Sequence, residues 1–195
     1  VRRLPKKPQN GEGGLMKITS TSIEGVHVVE TTPIKDSRGD FARWFCAKEL
    51  APLLRDRSIV QVNHSTTMNI GAIRGMHFQK APHLEMKFVR CIKGKILDVA
   101  LDLRAGSKTL LKYHAVELTP ENGLMLAVPE RCAHGFQVLE PGSELLYLHT
   151  AFYEPSFEGG VRYDDPAINI KWPLPPADIS DRDKTHSLLN DFKGI

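Results

Sequence analysis

Cysteine is scarce in this chain. Cys46, Cys91 and Cys132 are an odd number, lie among apolar neighbours and show no C-x-x-C spacing. A disulfide framework and a cysteine zinc site are therefore excluded, and a reducing cytoplasm is the expected compartment. Long apolar runs are missing too: none approaches the roughly 18 residues of a membrane span, and no apolar stretch follows the basic N-terminal residues. We expect no membrane association and no export. Charge of one sign is also lacking, since 26 Lys and Arg against 23 Asp and Glu leave a formal charge of +3. That is far from the strongly basic balance of a nucleic-acid binder.

What is present suits a folded domain. Hydrophobic residues make up 41% of 195 positions, and the length corresponds to about 1.3 average domains. Residues 1–15 are basic, rich in Pro and Gly and without periodicity, which reads as a disordered leader or upstream extension. The chain opens with Val, so Met16 is expected to be the true start. Residues 16–195 are expected to form a single domain.

From His27 to Tyr153 the sequence runs through nine short alternating or β-branched segments separated by turn residues: HVVETTPI, DFARWF, IVQVNHST, IGAIRGMHFQ, EMKFVRCI, KILDVALDL, KYHAVEL, GLMLAVP and ELLYLHTAF. Such spacing predicts an all-β sandwich or barrel. Only residues 46–54 and 183–192 read as helical. Strand alternation sorts side chains by face. In residues 95–103 it assigns Leu97, Val99, Leu101 and Leu103 to the core. It also groups Gln61 with Asn63, His77 with Gln79, Lys87 with Glu85, and Tyr147 with His149, so polar groups from four strands converge in one barrel mouth.

Buried charge is costly unless paired or bound to ligand. The set Gln61, Asn63, Arg74, His77, Lys87, His134 and Tyr147 in predicted strands is therefore informative, although each residue alone has a bland structural reading. Gly71-AIRGM-His77-F-Gln79 with Glu85 and Gly94, then Gly123-LMLAV-Pro129-ERCA-His134, resemble the two motifs of the cupin superfamily. That resemblance implies a jelly-roll barrel, the double-stranded β-helix, with a few short helices. A metal-binding cupin has His where Gln79 stands, and amides are poor ligands for first-row transition metals. No metal and no cofactor are expected.

A closer resemblance covers nearly all of residues 16–192. DSRGDF from Asp36, VQVNHS from Val60, IRGMHFQ from Ile73, KFVRCIKGKILDVALDLRAGS from Lys87, VPERCAHGF from Val128, LYLHTAFYEP from Leu146, EGGVRYDDPA from Glu158 and ISDRD from Ile179 match, in order, the dTDP-4-dehydrorhamnose 3,5-epimerase family. The resemblance implies that His77 is the catalytic base, Asp183 the acid that orients it, Tyr147 the proton donor across the sugar ring and Lys87 the group beside the sugar carbonyl. It also implies that Tyr153 stacks on the nucleotide base and that Arg38, Gln61, Asn63, Arg74, His134 and Glu158 hold the nucleotide sugar. A homodimer with N-terminal strands pairing between subunits is implied as well.

The chemistry asks for this set. Removing the hydrogen at C3 or C5 of a 4-keto sugar leaves an enolate whose charge rests on the C4 oxygen. Neutral imidazole suits that abstraction, with a carboxylate holding its tautomer. An ammonium at the oxygen contributes on the order of 3–4 kcal/mol, and inversion needs a second group on the opposite face. Guanidinium forks match the diphosphate, which nominates Arg38, Arg43 and Arg74. Arg74 has the wrong strand parity relative to His77; a bulge at Gly75 or a dimer contact would resolve this, and the dimer contact is the favoured expectation.

Arg43 stands where the family pattern carries Glu, Arg182 where it often carries Lys, and Leu148-His149 differ from the usual residues after the Tyr. These departures bear on substrate identity. Two other readings stay open: a metal-dependent cupin oxygenase using His77, Glu85 and His134, and a cupin that only binds a nucleotide sugar.

Overall fold

The computed structural model describes residues 15–195; the expected leader lies outside them except for Leu15. The described chain runs through β1 (Met16–Ser20), β2 (His27–Thr31), β3 (Ile34–Asp36), β4 (Gly39–Phe41), α1 (Ala51–Leu54), β5 (Gln61–Thr67), β6 (Ile73–Gln79), β7 (Lys87–Lys93) and β8 (Ile96–Asp102). It continues through β9 (Tyr113–Leu118), β10 (Leu124–Val128), β11 (Cys132–Val138), β12 (Ser143–His149), β13 (Glu158–Gly160) and α2 (Asp181–Thr185). One antiparallel sheet has the order β1-β2-β10-β7-β12-β5 and a second has β13-β6-β11-β8-β9. From β5 to β8, and again from β10 to β12, the chain crosses between the two sheets, so it weaves a cupin-type jelly roll. The all-β expectation therefore holds.

The helical expectations were too long. Residues 46–54 contain helix only at Ala51–Leu54, where Pro52 is tolerated in the first turn. The second stretch begins earlier and ends sooner, at Asp181–Thr185, because Ser180 caps it by accepting from the Asp183 amide at 3.1 Å. The short strands β1 and β13 carry no alternation long enough to be read from sequence.

Both faces of β8 are buried, which corrects the expectation of one core face. Ile96 and Ala100 join Val89, Leu126, Phe136 and Leu145 between the sheets. Val99, Leu101 and Leu103 pack instead on the outer face of the second sheet, beneath Val161, Ile168 and Ile170 of the C-terminal segment. A third cluster seats α1 on the outside of the first sheet through Leu53, Leu54, Phe88 and Leu148. A strand covered on both sides reads as continuously apolar, and parity cannot then distinguish interior from exterior. Cys91 and Cys132 are unpaired, and burial pushes their thiols up to about 11 and about 12.

The pairing of β6 with β11 shifts register: His77 faces His134, while Arg74 faces Phe136. Three steps on β6 oppose two on β11, so β6 carries a bulge that reverses parity between Arg74 and His77. Both side chains then face the barrel interior. The bulge, and not the dimer contact favoured from sequence, accounts for Arg74. Gly75 permits it: its φ is +129° and a Cβ there would lie 2.9 Å from the His134 carbonyl oxygen. Gly75→Ala is accordingly expected to cost about 2–3 kcal/mol of stability from backbone strain and overpacking, read as a lower urea midpoint at unchanged m-value.

Candidate active site

The barrel opens into a cavity of about 540 Å³ between the two sheets. Gln61, Asn63 and Ser65 of β5, Lys87 of β7 and Tyr147 and His149 of β12 enter it from the first sheet. Arg74, His77 and Gln79 of β6, His134 of β11 and Glu158 of β13 enter from the second, while Tyr153 and Arg182 stand at its rim. Most of the residues singled out from the sequence thus share one cavity, and Asp183 sits directly behind His77. Arg38 and Arg43 do not join them. Arg38 lies on the exposed β3–β4 turn, bonded to Asp36 at 2.6 Å, and Arg43 is paired with Glu49. Both belong to the short N-terminal hairpin region, which packs away from the cavity of its own chain.

His77 Nε2 lies 2.8 Å from Asp183 Oδ1. Asp183 is buried, with its side chain 3% exposed, and its Oδ2 accepts from the Gly75 amide at 3.1 Å. Burial alone would raise the Asp183 pKa, but the His77 hydrogen bond and charge outweigh it and hold the carboxyl well below its ordinary range. An ionised Asp183 can only accept, so in the neutral imidazole the proton lies on Nε2 and Nδ1 carries the free lone pair. Arg182 approaches the same imidazole at 3.1 Å and is bonded to Glu158 at 2.7 Å. The Tyr153 hydroxyl donates to Glu158 at 2.9 Å, so Tyr153, Glu158 and Arg182 form one chain along the rim.

Opposite, the Tyr147 hydroxyl lies 3.1 Å from Ser65 Oγ. Its ring meets His134 edge-on at 6.1 Å and stacks on His149 at 6.0 Å. Burial raises the Tyr147 pKa far above its ordinary value, only partly offset by Ser65, so the phenol stays protonated. Lys87 is buried and bonded to Glu85 at 2.7 Å, and Glu85 also receives His149 at 2.8 Å. Burial pushes the Glu85 carboxyl up, yet the His149 bond and the Lys87 charge bring it down to about 2.

His134 is held by Asp98 at 2.7 Å. Asp98 is fully buried and was not singled out from the sequence; a carboxylate in an apolar strand gives no local sign of which imidazole will meet it across the sheet. Ser65 was likewise missed as a site residue, and Gln79 was grouped with His77 but given no role. Gln79 accepts from the Glu154 amide at 2.7 Å and so anchors the loop that carries Tyr153. The metal reading from His77, Glu85 and His134 loses support, because their donor atoms do not converge: among the described residues the one His, Cys or carboxylate group with donor atoms within 4.8 Å of one another is His77, Asp183 and His186.

Residues 20–191 match the model of the dTDP-4-dehydrorhamnose 3,5-epimerase family. The dTDP-4-dehydrorhamnose 3,5-epimerase of Sinorhizobium fredii is 40% identical over 158 residues, 81% of each chain. The crystal structure of dTDP-4-dehydrorhamnose 3,5-epimerase from Elizabethkingia anophelis superposes with a TM-score of 0.86 at 34% identity, covering 92% of this chain and all of that one. The dTDP-6-deoxy-D-glucose-3,5-epimerase of Legionella pneumophila, solved in complex with dTDP-4-keto-L-rhamnose, gives 0.84 at 35% identity over 89% and 93% of the two chains.

The Glu85 pairing has a pH consequence. A carboxyl whose pKa is lowered in the folded state favours folding above its ordinary value of 4.5, and this contribution is lost as pH falls toward about 2. Glu85→Gln should therefore flatten the acid limb of stability against pH in that window, as measured by urea melts at successive pH values.

Proposed function

From the premise that this chain belongs to the dTDP-4-dehydrorhamnose 3,5-epimerase family and is an isomerase, we propose that it inverts C3, C5 or both of a nucleotide-linked 4-keto-6-deoxy sugar. The reading includes a place in deoxysugar or surface-polysaccharide biosynthesis, in the cytoplasm and without a cofactor. The observation that carries it is the entry of His77 and Tyr147 into one cavity from opposite sheets, with Asp183 on the imidazole.

In this proposal His77 takes the proton from the ring carbon, and the electron pair of the broken C–H bond moves onto the C4 oxygen. Lys87 stabilises that oxygen electrostatically. Asp183 balances the imidazolium, and Tyr147 returns a proton to the opposite face of the carbon. Neither atoms nor electrons are gained overall. Arg74 meets the diphosphate and Gln61, Asn63, His134, Tyr153, Glu158 and Arg182 hold the rest of the ligand. His149, paired to the same carboxylate as Lys87, couples the family departure at that position to the carbonyl site.

We further propose a homodimer of the domain formed by residues 16–195. Strands β1 and β5 are the two edges of the larger sheet. Val62, Met68 and Ile70 along β5 and its turn are more than half exposed, as are Ile34 and Phe41 on the hairpin. Open edges and clustered apolar surface favour association. A partner seated there would bring the hairpin, with Arg38 and Arg43, within reach of the neighbouring subunit. Sedimentation equilibrium should return twice the chain mass; a monomer at micromolar concentration would end this part of the reading.

Incubation with dTDP-4-keto-6-deoxyglucose in heavy water should place deuterium at C3, C5 or both, as read by NMR. His77→Asn is expected to lower turnover roughly 10²–10⁴-fold while retaining nucleotide binding. Tyr147→Phe is expected to lose inversion while some exchange persists. Full turnover in either variant would contradict the roles of base and donor.

A further inference from the structure

One imidazole outside the proposed chemistry converges on its carboxylate. His186 lies three residues beyond Asp183, at the end of α2 and on the same side of it. Its Nε2 is 3.9 Å from Asp183 Oδ1, and its ring meets the His77 ring edge-on at 6.2 Å. That nitrogen is buried and has no hydrogen-bond partner. The ring packs against Gly160, where any Cβ would run into its atoms.

We propose that His77, Asp183 and His186 form a binding site for zinc, and that occupation of this site silences the isomerase. One donor atom from each residue lies within 4.8 Å of the others, the one such His, Cys or carboxylate group among the described residues. Zinc held tetrahedrally at about 2.0–2.2 Å from nitrogen and oxygen needs donor atoms about 3.3 Å apart. The His77–Asp183 separation of 2.8 Å and the His186–Asp183 separation of 3.9 Å bracket that value. Imidazole and carboxylate are donors that zinc accepts well.

The carboxylate is already aimed. Its Oδ2 is tied to the Gly75 amide and its backbone to the Ser180 cap, which leaves Oδ1 turned toward both rings. The obstacle is Arg182, whose Nη2 is 3.1 Å from His77 Nε2. Its Nε is also 3.5 Å from Asp183 Oδ1; the side chain is 53% exposed and bonded to Glu158 as well, so on yielding to the metal it gives up Asp183 and keeps Glu158. A cavity of about 290 Å³, bordered by His77, Asp183 and Arg182, admits the water that completes the coordination. Zinc on Nε2 displaces the proton this nitrogen carries, which moves to Nδ1 or to solvent, and takes Asp183 away from the imidazole, so the hydrogen bond on which base function depends is lost.

Only the silencing rests on the epimerase reading; the binding does not. The test is calorimetric titration of the metal-free protein with zinc chloride, together with zinc-edge anomalous diffraction from soaked crystals. We expect one tight site and an anomalous peak among the three side chains. His186→Ala should weaken binding by roughly tenfold or more, the scale on which even indirect partners of a metal matter. It should leave the deuterium-exchange rate in metal-free buffer unchanged and make exchange insensitive to zinc. His77→Asn supplies a second loss of binding through a different element. Equal zinc affinity in wild type and His186→Ala, or a peak elsewhere, overturns the site. A peak at the three residues in a protein that exchanges no deuterium would uphold the site and remove the epimerase reading.

Discussion

The hydrogen bond between His77 and Asp183, formed across 106 positions of chain, is the constraint around which the site is arranged. It requires the C-terminal segment to wrap the outside of the smaller sheet and deliver α2 to the end of β6. The same carboxylate also accepts the amide of Gly75, the residue that permits the bulge. One buried anion therefore fixes the imidazole, the strand irregularity beside it and the helix start that carries it. Without the bulge Arg74 would face the opposite side of the sheet from His77.

A jelly roll suits two-sided proton chemistry because its interior is a gap between sheets with side chains entering from both. His77 and Tyr147 belong to different sheets, so a ring held between them meets a different group on each face. Such an interior is tolerable only when its charges are matched. Lys87 has Glu85, Glu85 has His149, and His134 has Asp98. These pairs also hold side chains in fixed orientations, which is what proton transfer over short distances requires. Tyr147 differs in being neutral: burial keeps its proton on, which is the state the proposed donor role needs.

Much of this was legible in the sequence. The β-class followed from the alternation, because side-chain direction in a strand has period two whatever the fold. The polar set within strands pointed to a ligand-filled interior, because water-free burial without partners costs too much. Family motifs singled out His77, Tyr147 and Asp183 together; the first two enter one cavity and the third holds the imidazole from behind. Where the reading failed, the cause was a missing third dimension. Parity could not see the bulge, because an extra residue in one strand is defined only against its partner. It took Val99, Leu101 and Leu103 as the core face of β8, because nothing local reveals that the C-terminal segment covers that face from outside while Ile96 and Ala100 fill the space between the sheets. Arg38 and Arg43 have the right chemistry for a diphosphate but do not line the cavity of their own chain, so their role rests on the proposed dimer.

The sequence by itself determined the strand class, the family and the kinds of chemical group available, since these depend on local periodicity and on residue identity in order. Tertiary structure alone decided which groups touch. Asp98 under His134, Glu85 between Lys87 and His149, and His186 behind Asp183 are contacts between strands or segments whose spacing along the chain carries no signal. Their energies depend on distance and burial, and both quantities come into existence only when the sheets close on each other.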